Sequence, residues 1–264
     1  MTPRFDPVAM AYDDVGRGET ILLVHGFPLS RRIWRPQMEA LRSSYRIIAP
    51  DLRGHGETEA PDGVYGMAEM ASDLRRLLDH LGIETAVLGG HSMGGYVAFS
   101  FYRAWPERAR ALILVDTRAE PDNERGRRGR AEMIRLAKER GAEAVAAEML
   151  PRLISKETLE GRPELVDEVR TIMEATPVSG LAGALQGMAD RPDSVPLLKE
   201  ISVPTLILVG ERDVLTPLPY ADRMHADISE SHLELIPGAG HLPSLEAPEA
   251  VNDAIRLFLD QIQS

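Results

Sequence analysis

The stretch Leu88–Gly95, with the sequence LGGHSMGG, decides the fold because it places a serine between a predicted strand and a predicted helix. It contains the pattern G-x-S-x-G, with Gly90 and Gly94 on either side of Ser92. A serine at a sharp strand-to-helix turn takes a strained backbone conformation, and the glycines remove side chains that would collide across it. The turn raises the hydroxyl above the strand ends, where the dipole of the following helix favours a developing oxyanion. Ser92 is therefore the candidate nucleophile.

Short β-branched runs alternate with longer helical patterns on both sides of this turn. Six runs have the length and composition of buried strands, at residues 21–24, 45–49, 85–88, 111–115, 205–209 and 232–236. Three stretches carry apolar residues at helical spacing, at residues 67–81, 93–105 and 248–262. Strands separated by helices predict an α/β fold, with a mostly parallel central sheet flanked by helices on both faces.

One long stretch interrupts this alternation. From about residue 118 to residue 199 no convincing strand occurs. Helical segments separated by glycine and proline fill it instead, at residues 124–140, 142–153, 163–175 and 178–189. We predict an α/β core made of residues 1–117 and 200–264, with residues 118–199 inserted as a helical cap over one edge of the sheet.

Composition excludes several classes of function. The chain has 264 residues, 44% of them hydrophobic, which is enough for a sizeable core. A net charge of −11 argues against a nucleic-acid partner, which needs a basic face. The absence of cysteine excludes disulfides, thiolate metal sites and a cysteine nucleophile.

No secretory signal, membrane-spanning segment, zinc-binding motif or nucleotide-binding glycine loop is found, so we expect a cytoplasmic protein without membrane contact, metal or cofactor. Either a monomer or a homodimer fits.

A serine hydroxyl needs a base, and His241 is the best placed of the seven histidines. It lies in the glycine-rich loop 236–243, IPGAGHLP, directly after the last predicted strand, and such a loop can reach back over the strand ends. The base in turn needs an acid to fix its tautomer. Asp213 follows the strand at 205–209 and is the preferred acid. Asp116, just after the strand at 111–115, competes for this role, although it could instead cap the entrance to the helical insertion.

These motifs resemble those of the α/β-hydrolase superfamily over essentially the whole chain. The order Ser92, Asp213, His241 is the order expected of that family. Residues 24–28, VHGFP, are similar to its oxyanion loop, and residues 51–56, DLRGHG, to its D-x-R-G-x-G turn. The resemblance also implies that the insertion is the family's helical cap.

The resemblance further implies roles for single residues. The oxyanion hole would use the backbone N–H groups of Phe27 and Met93. His25 would brace the oxyanion loop. Three residues would support the site from outside it, namely Asp51, Arg53 and His55.

Family members divide by nucleophile, and serine indicates attack on an acyl carbon. In the serine branch the chain looks like small carboxylesterases, 3-oxoadipate enol-lactonases, carbon–carbon bond hydrolases and cofactor-free perhydrolases. We expect a serine esterase acting on small to medium, largely apolar acyl esters, with an enol-lactone hydrolase, perhydrolase or carbon–carbon bond hydrolase as alternatives. A small-molecule receptor that turns over slowly or not at all is the alternative from another class.

The substrate pocket is expected between the strand ends and the cap. Its candidate lining residues are Phe27, Trp34, Met93, Met149, Leu153, Leu185, Met188, Leu215 and Leu242. The one basic cluster of the chain, residues 124–130, ERGRRGR, lies in the predicted cap. It fits a solvated helix face, but one of its arginines could instead reach the cleft and pair with a substrate carboxylate.

Overall fold

The computed structural model describes residues 4–5 and 8–262. Its strands are β1 (Arg4–Phe5), β2 (Met10–Gly16), β3 (Thr20–Val24), β4 (Arg46–Pro50), β5 (Ala86–His91), β6 (Ala109–Val115), β7 (Thr205–Gly210) and β8 (Ser231–Ile236). Its helices are α1 (Arg35–Leu41), α2 (Met67–His80), α3 (Met93–Ala104), α4 (Glu124–Leu153), α5 (Lys156–Gly161), α6 (Pro163–Glu174), α7 (Val178–Ala189), α8 (Val195–Leu198), α9 (Leu218–Asp227), α10 (Pro243–Glu246) and α11 (Pro248–Ile262).

The described strands form one sheet in the order β1-β2-β4-β3-β5-β6-β7-β8. β1 and β2 pair in antiparallel fashion, as do β2 and β4, and every other neighbouring pair is parallel. The prediction of a mostly parallel α/β sheet is confirmed. The carboxyl ends of β3, β5, β6, β7 and β8 therefore meet at one edge of the sheet, which is where an open α/β sheet binds its ligands.

All six predicted strands are present within two or three residues of their expected bounds, but β1 and β2 were not predicted. β2 has the sequence MAYDDVG, and its second half alternates between partly buried and exposed positions. Acidic residues and glycine have low strand propensity, so this sequence does not look like a strand. Pairing with β4 and burial of its first half override that local preference.

Helices cover both faces of the sheet, and alternate strand residues point to opposite faces. On one face α2 and α3 pack with Leu22, Leu88 and Leu112. On the other face α1 and α11 pack with neighbouring residues of the same strands, such as Ile21 and Val87. The sheet is thus buried on both sides, as its near-continuous hydrophobic strands require.

The chain between β6 and β7 forms α4 to α8, the helical cap expected from the sequence. The two predicted segments at 124–140 and 142–153 are halves of α4, which is broken at Gly141, where φ is +78°. α7 docks closely on the core, because a Cβ on Gly180 would collide with the carbonyl oxygen of Gly54. Side chains of the cap belong to the same hydrophobic clusters as the sheet. The boundary at 118–199 stays a prediction.

Candidate active site

Ser92 lies at the turn between β5 and α3, as the sequence predicts. Its backbone has φ +52° and ψ −111°, a conformation that non-glycine residues rarely adopt. Its N–H donates to the carbonyl oxygen of Val115 at 2.9 Å, which ties the turn to β6. A Cβ on Gly90 would collide with the backbone of Gly94, and one on Gly94 with the carbonyl oxygen of Val24. Both glycines are therefore required by close backbone contact at the turn.

The structure brings Ser92, His241 and Asp213 into one hydrogen-bonded chain. His241 Nε2 lies 2.9 Å from Ser92 Oγ, and His241 Nδ1 lies 2.8 Å from Asp213 Oδ2. We assign the Nδ1 proton to the bond with the carboxylate, which leaves Nε2 free to accept the serine proton. His241 and Asp213 are buried, whereas Ser92 is partly exposed. Loops after β5, β7 and β8 supply the three residues, so the parallel strand ends position them.

Asp213 is held in its charged form. Burial would raise the pKa of this carboxyl, but His241 and a hydrogen bond from Thr216 outweigh burial and hold the pKa well below its usual range. The Thr216 hydroxyl donates to Oδ2 at 2.6 Å, and the Leu215 N–H donates to Oδ1 at 2.7 Å. Sequence reasoning missed Thr216, although its position three residues after the aspartate is typical of a side chain-to-backbone turn.

Asp116, the competing acid, lies beside the triad but does not bond to His241 directly. A carboxylate oxygen of Asp116, one of Asp213 and a ring nitrogen of His241 all lie within 4.8 Å of one another. Asp116 Oδ1 accepts the N–H of Gly210 at 2.8 Å. Complete burial, and then the negative charge of Asp213, raise the pKa of Asp116 well above its usual range. Asp213, which bonds to His241 Nδ1 and has a lowered pKa, is therefore the better candidate for the triad acid.

The same three side chains form the only group of described residues with the proximity needed to share a metal ion. Asp213 and His241 are hydrogen-bonded to each other in this group. We therefore interpret the group as a proton-transfer site.

Two residues that sequence reasoning did not assign hold the loop of His241. His91 Nε2 donates to the carbonyl oxygen of His241 at 2.6 Å, and burial lowers the pKa of His91 to about 3, so its ring is neutral. Glu246 accepts the N–H of Gly240 and the N–H of Ser155, each at 2.8 Å. Glu246 thus joins the catalytic loop to the cap.

The candidate oxyanion loop is braced by His25, as the resemblance implies. His25 Nδ1 donates to the carbonyl oxygen of Gly26 at 2.8 Å, and Nε2 accepts the N–H of Leu52 at 2.9 Å. Burial lowers the pKa of His25 to about 4, which keeps it neutral in this double role. Phe27 follows in the loop and lines the cavity that contains Ser92. Met93 is the first residue of α3, whose N–H has no partner within the helix.

The turn after β4 supports this loop from outside the cavity. Asp51 accepts the backbone N–H of Arg31 at 2.7 Å and that of Glu57 at 2.9 Å. Arg53 pairs with Asp73 of α2 at 2.7 Å, and His55 Nδ1 donates to the carbonyl oxygen of Arg53 at 3.0 Å. None of Asp51, Arg53 and His55 lines the cavity.

A cavity of about 470 Å³ lies between the strand ends and the cap. Ser92, Thr216 and His241 open into it. Six of the expected lining residues are present, namely Phe27, Met149, Leu153, Leu185, Met188 and Leu215.

The structure corrects three of the expected lining residues: Trp34, Met93 and Leu242 are fully buried in the hydrophobic clusters and do not line this cavity. Trp34 packs on the face of the sheet covered by α1 and α11. Its ring is nearly perpendicular to the ring of His91, and the two ring centres are 6.5 Å apart. The position of a residue along the chain does not determine which way its side chain points.

The remaining lining of the cavity is polar and basic. Arg125 and Arg130 belong to the basic run noted in the sequence, while Arg118 and Arg152 lie outside it. Asp122 is the only acidic residue among the described residues that line the cavity. Sequence reasoning allowed for one arginine of the run and missed Arg118 and Arg152, because isolated arginines leave no motif.

Comparison with known proteins agrees with this arrangement. A family model described as alpha/beta hydrolase fold matches residues 19–248. The structure of a thermophilic esterase from Thermogutta terrifontis, with malate bound, superposes with a TM-score of 0.95 at 42% identity, covering 100% of this chain and 98% of that one. The enol-lactonase from Burkholderia xenovorans LB400 gives a TM-score of 0.90 at 25% identity, covering 95% and 96%. The 3-oxoadipate enol-lactonase 2 of Acinetobacter baylyi is 29% identical over 254 residues, 96% of this chain and 93% of that protein.

No described helix has both the length and the apolar character needed to cross a membrane.

Proposed function

The chain belongs to the α/β-hydrolase family, and on that premise we propose that it is a serine hydrolase that cleaves carboxylic esters through an acyl-enzyme on Ser92. The observation that carries the proposal is the chain of hydrogen bonds from Ser92 through His241 to Asp213, with Ser92 facing a cavity. The likeness to an esterase at 42% identity supports the same reading.

Acylation uses the groups at the positions described above. Ser92 Oγ attacks the carbonyl carbon of the ester while His241 Nε2 takes the hydroxyl proton. Asp213, charged and bonded to Nδ1, stabilises the imidazolium that forms. The carbonyl oxygen becomes an oxyanion, for which the N–H groups of Phe27 and Met93 are the proposed donors. When the carbon–oxygen bond to the alcohol breaks, His241 gives its proton to the departing alcohol.

Deacylation repeats these steps with water as the nucleophile. His241 Nε2 takes a proton from water, whose oxygen attacks the acyl carbon, and then returns a proton to Ser92 Oγ as the acid leaves.

Lactone hydrolysis follows the same route with the alcohol still attached to the acyl group. Similarity to two enol-lactonases makes lactones the second candidate substrate class.

The direct test is turnover of p-nitrophenyl esters from acetate to decanoate, with simple lactones and added hydrogen peroxide in parallel. We expect ester hydrolysis by the wild type and none above background by Ser92→Ala. Release of a peracid that depends on the added peroxide would identify a perhydrolase.

Ser72→Ala is a matched control, since Ser72 lies on the exposed side of α2 and donates only to the backbone of Ala68. It should keep wild-type turnover. A fluorophosphonate probe that labels Ser92 rapidly, in a protein that turns over no ester or lactone, would support the receptor alternative and overturn the proposal.

A further inference from the structure

The cavity has a charge opposite to that of the whole chain. The chain carries a net charge of −11, yet four arginines and a single aspartate are found among the charged residues that line the cavity. A cleft lined by one sign of charge concentrates ligands of the other sign. The net charge of the chain therefore gives a misleading picture of the site.

The positive charge is organised around one carboxylate. Asp122, whose side chain is 1% exposed, accepts from Arg118 at 2.6 Å, from Arg191 at 2.9 Å and from Arg130 at 3.0 Å. Burial would raise the pKa of Asp122, but Arg130 and Arg191 outweigh it and lower the pKa, so Asp122 is charged. The cluster formed by Arg118, Asp122, Arg130 and Arg191 thus has three cations for one anion.

Two of these cations face the cavity. Arg191 is 3% exposed and lies behind the wall, where it also donates to the carbonyl oxygens of Met188 and Glu120. Arg118 and Arg130 line the cavity with side-chain exposures of 19% and 22%. Within the described residues Arg130 bonds only through Nε, which leaves its two terminal amino groups for a ligand.

The three guanidinium groups around Asp122 carry two positive charges more than the one carboxylate of the cluster can neutralise. If these ion pairs served only to fix the start of α4, Asp122 would need a single cationic partner. Arg191 is already such a partner, and its side chain is buried. Arginine pairs with carboxylates and with phosphates in a planar, two-point geometry, and of the two a carboxylate matches the acyl ligand of the proposed function.

The cluster lies close to the nucleophile. The Thr117 hydroxyl donates to the carbonyl oxygen of Ser92 at 2.8 Å, and Arg118 is the next residue. Tyr96, one helical turn after Ser92, has the guanidinium of Arg191 4.2 Å from the centre of its ring. Ser92, Arg118 and Arg130 line the same cavity, so one ligand can contact the nucleophile and the arginines.

We propose that Arg118 and Arg130 form a carboxylate-binding subsite, and that the preferred substrates are esters or lactones whose acyl chain ends in a carboxylate. This inference rests on the proposed function, because it assigns the far end of the acyl chain bound at Ser92. The sequence left open a pairing between one arginine of residues 124–130 and a substrate carboxylate, and the proposal assigns that role to Arg130 together with Arg118.

The test compares monoethyl adipate with ethyl hexanoate, two esters that differ by a terminal carboxylate. We expect the wild type to have the higher kcat/KM for the anionic ester. Arg118→Met and Arg130→Met should each lower the anionic-to-neutral ratio of kcat/KM by about tenfold or more, the loss of one charge-assisted hydrogen bond, mainly through KM. Arg127→Met, an exposed arginine of the same helix outside the lining, should leave the ratio unchanged.

A second measurement needs no turnover and keeps the two proposals separate. Adipate should bind to Ser92→Ala more tightly than hexanoate by calorimetry, and Arg130→Met in that background should remove the difference. Equal binding of the two acids, or an unchanged substrate ratio in both arginine variants, would overturn the subsite even if ester hydrolysis is robust. Absence of turnover on either ester, with adipate still preferred in binding, would overturn the proposed function and leave the subsite standing. If Arg118→Met fails to fold, Arg130→Met and the binding comparison still decide.

Discussion

The two walls of the cavity are built on different principles. On the wall formed by the strand ends, each acid has its hydrogen-bond partner within the protein, since Asp213 bonds to His241 and Asp116 accepts from Gly210. On the wall formed by the cap and the loop before it, Arg118, Arg130 and Arg191 share the single carboxylate of Asp122. The first wall is complete without a ligand, whereas the second is completed by an anion. Under the two proposals, the core carries out the reaction and the cap selects the acyl group.

The largest expected effect is on the strand-end wall. Ser92→Ala should lower kcat for p-nitrophenyl esters on the order of 10⁶-fold, because members of a triad act as a unit and only binding and oxyanion stabilisation remain. Steady-state rates of the purified variant, with Ser72→Ala prepared alongside, measure this. Retention of even a hundredth of wild-type kcat would mean that another group carries the reaction.

The next effect separates the two buried acids. Asp213→Asn should lower kcat about 10⁴-fold, because the amide favours the wrong imidazole tautomer. Asp116→Asn should leave kcat within about tenfold, since an amide of the same shape can still accept from Gly210 and Asp116 does not bond to His241. Equal losses in the two variants would contradict the assignment of Asp213 as the acid of the triad.

A smaller effect is expected on the free energy of unfolding, where alanine substitutions of one glycine from each wall can be compared. Gly90→Ala should destabilise the protein by about 3 kcal/mol or more, because its Cβ would meet the backbone of Gly94, which cannot move aside without distorting the turn. Gly129→Ala in α4 meets nothing within 4 Å and should stabilise by about 0.5–1 kcal/mol, the usual gain of alanine over glycine in a helix. Denaturant unfolding measures both. A neutral Gly90→Ala would contradict the close packing of the turn.

The smallest effect is the pH dependence of stability due to Asp116. A carboxyl whose pKa is raised on folding contributes stability that is fully present below its unfolded pKa, about 3.9, and is lost as pH rises through the folded pKa. Asp116→Asn removes this loss, so the variant should gain in unfolding free energy relative to the wild type as pH rises above about 4. Unfolding curves at several pH values test the sign. A difference between the two proteins that does not change with pH would contradict a raised pKa.

The two walls also differ in how far the sequence predicts them. Ser92, Asp213 and His241 were found because each follows a predicted strand, and parallel strands bring such positions to one edge, although β8 before His241 is mostly exposed. Thr216 and the contact of His91 with the loop of His241 depend on side-chain direction, which strand patterns do not specify. The cap has no comparable rule, since Arg118, Asp122 and Arg191 meet only when the two ends of the insertion pack together. Side-chain direction also explains why Trp34 and Leu242, which the sequence placed at the cavity, lie in the core.

An acyl-enzyme on Ser92 can be captured by rapid acid quenching of the wild type during turnover of p-nitrophenyl hexanoate, followed by peptide mass spectrometry. We expect one hexanoyl group on the peptide that contains Ser92, and none on the same peptide in Ser92→Ala. A hexanoyl group on a different residue, or rapid turnover by Ser92→Ala without any adduct, would rule out an acyl-enzyme on Ser92.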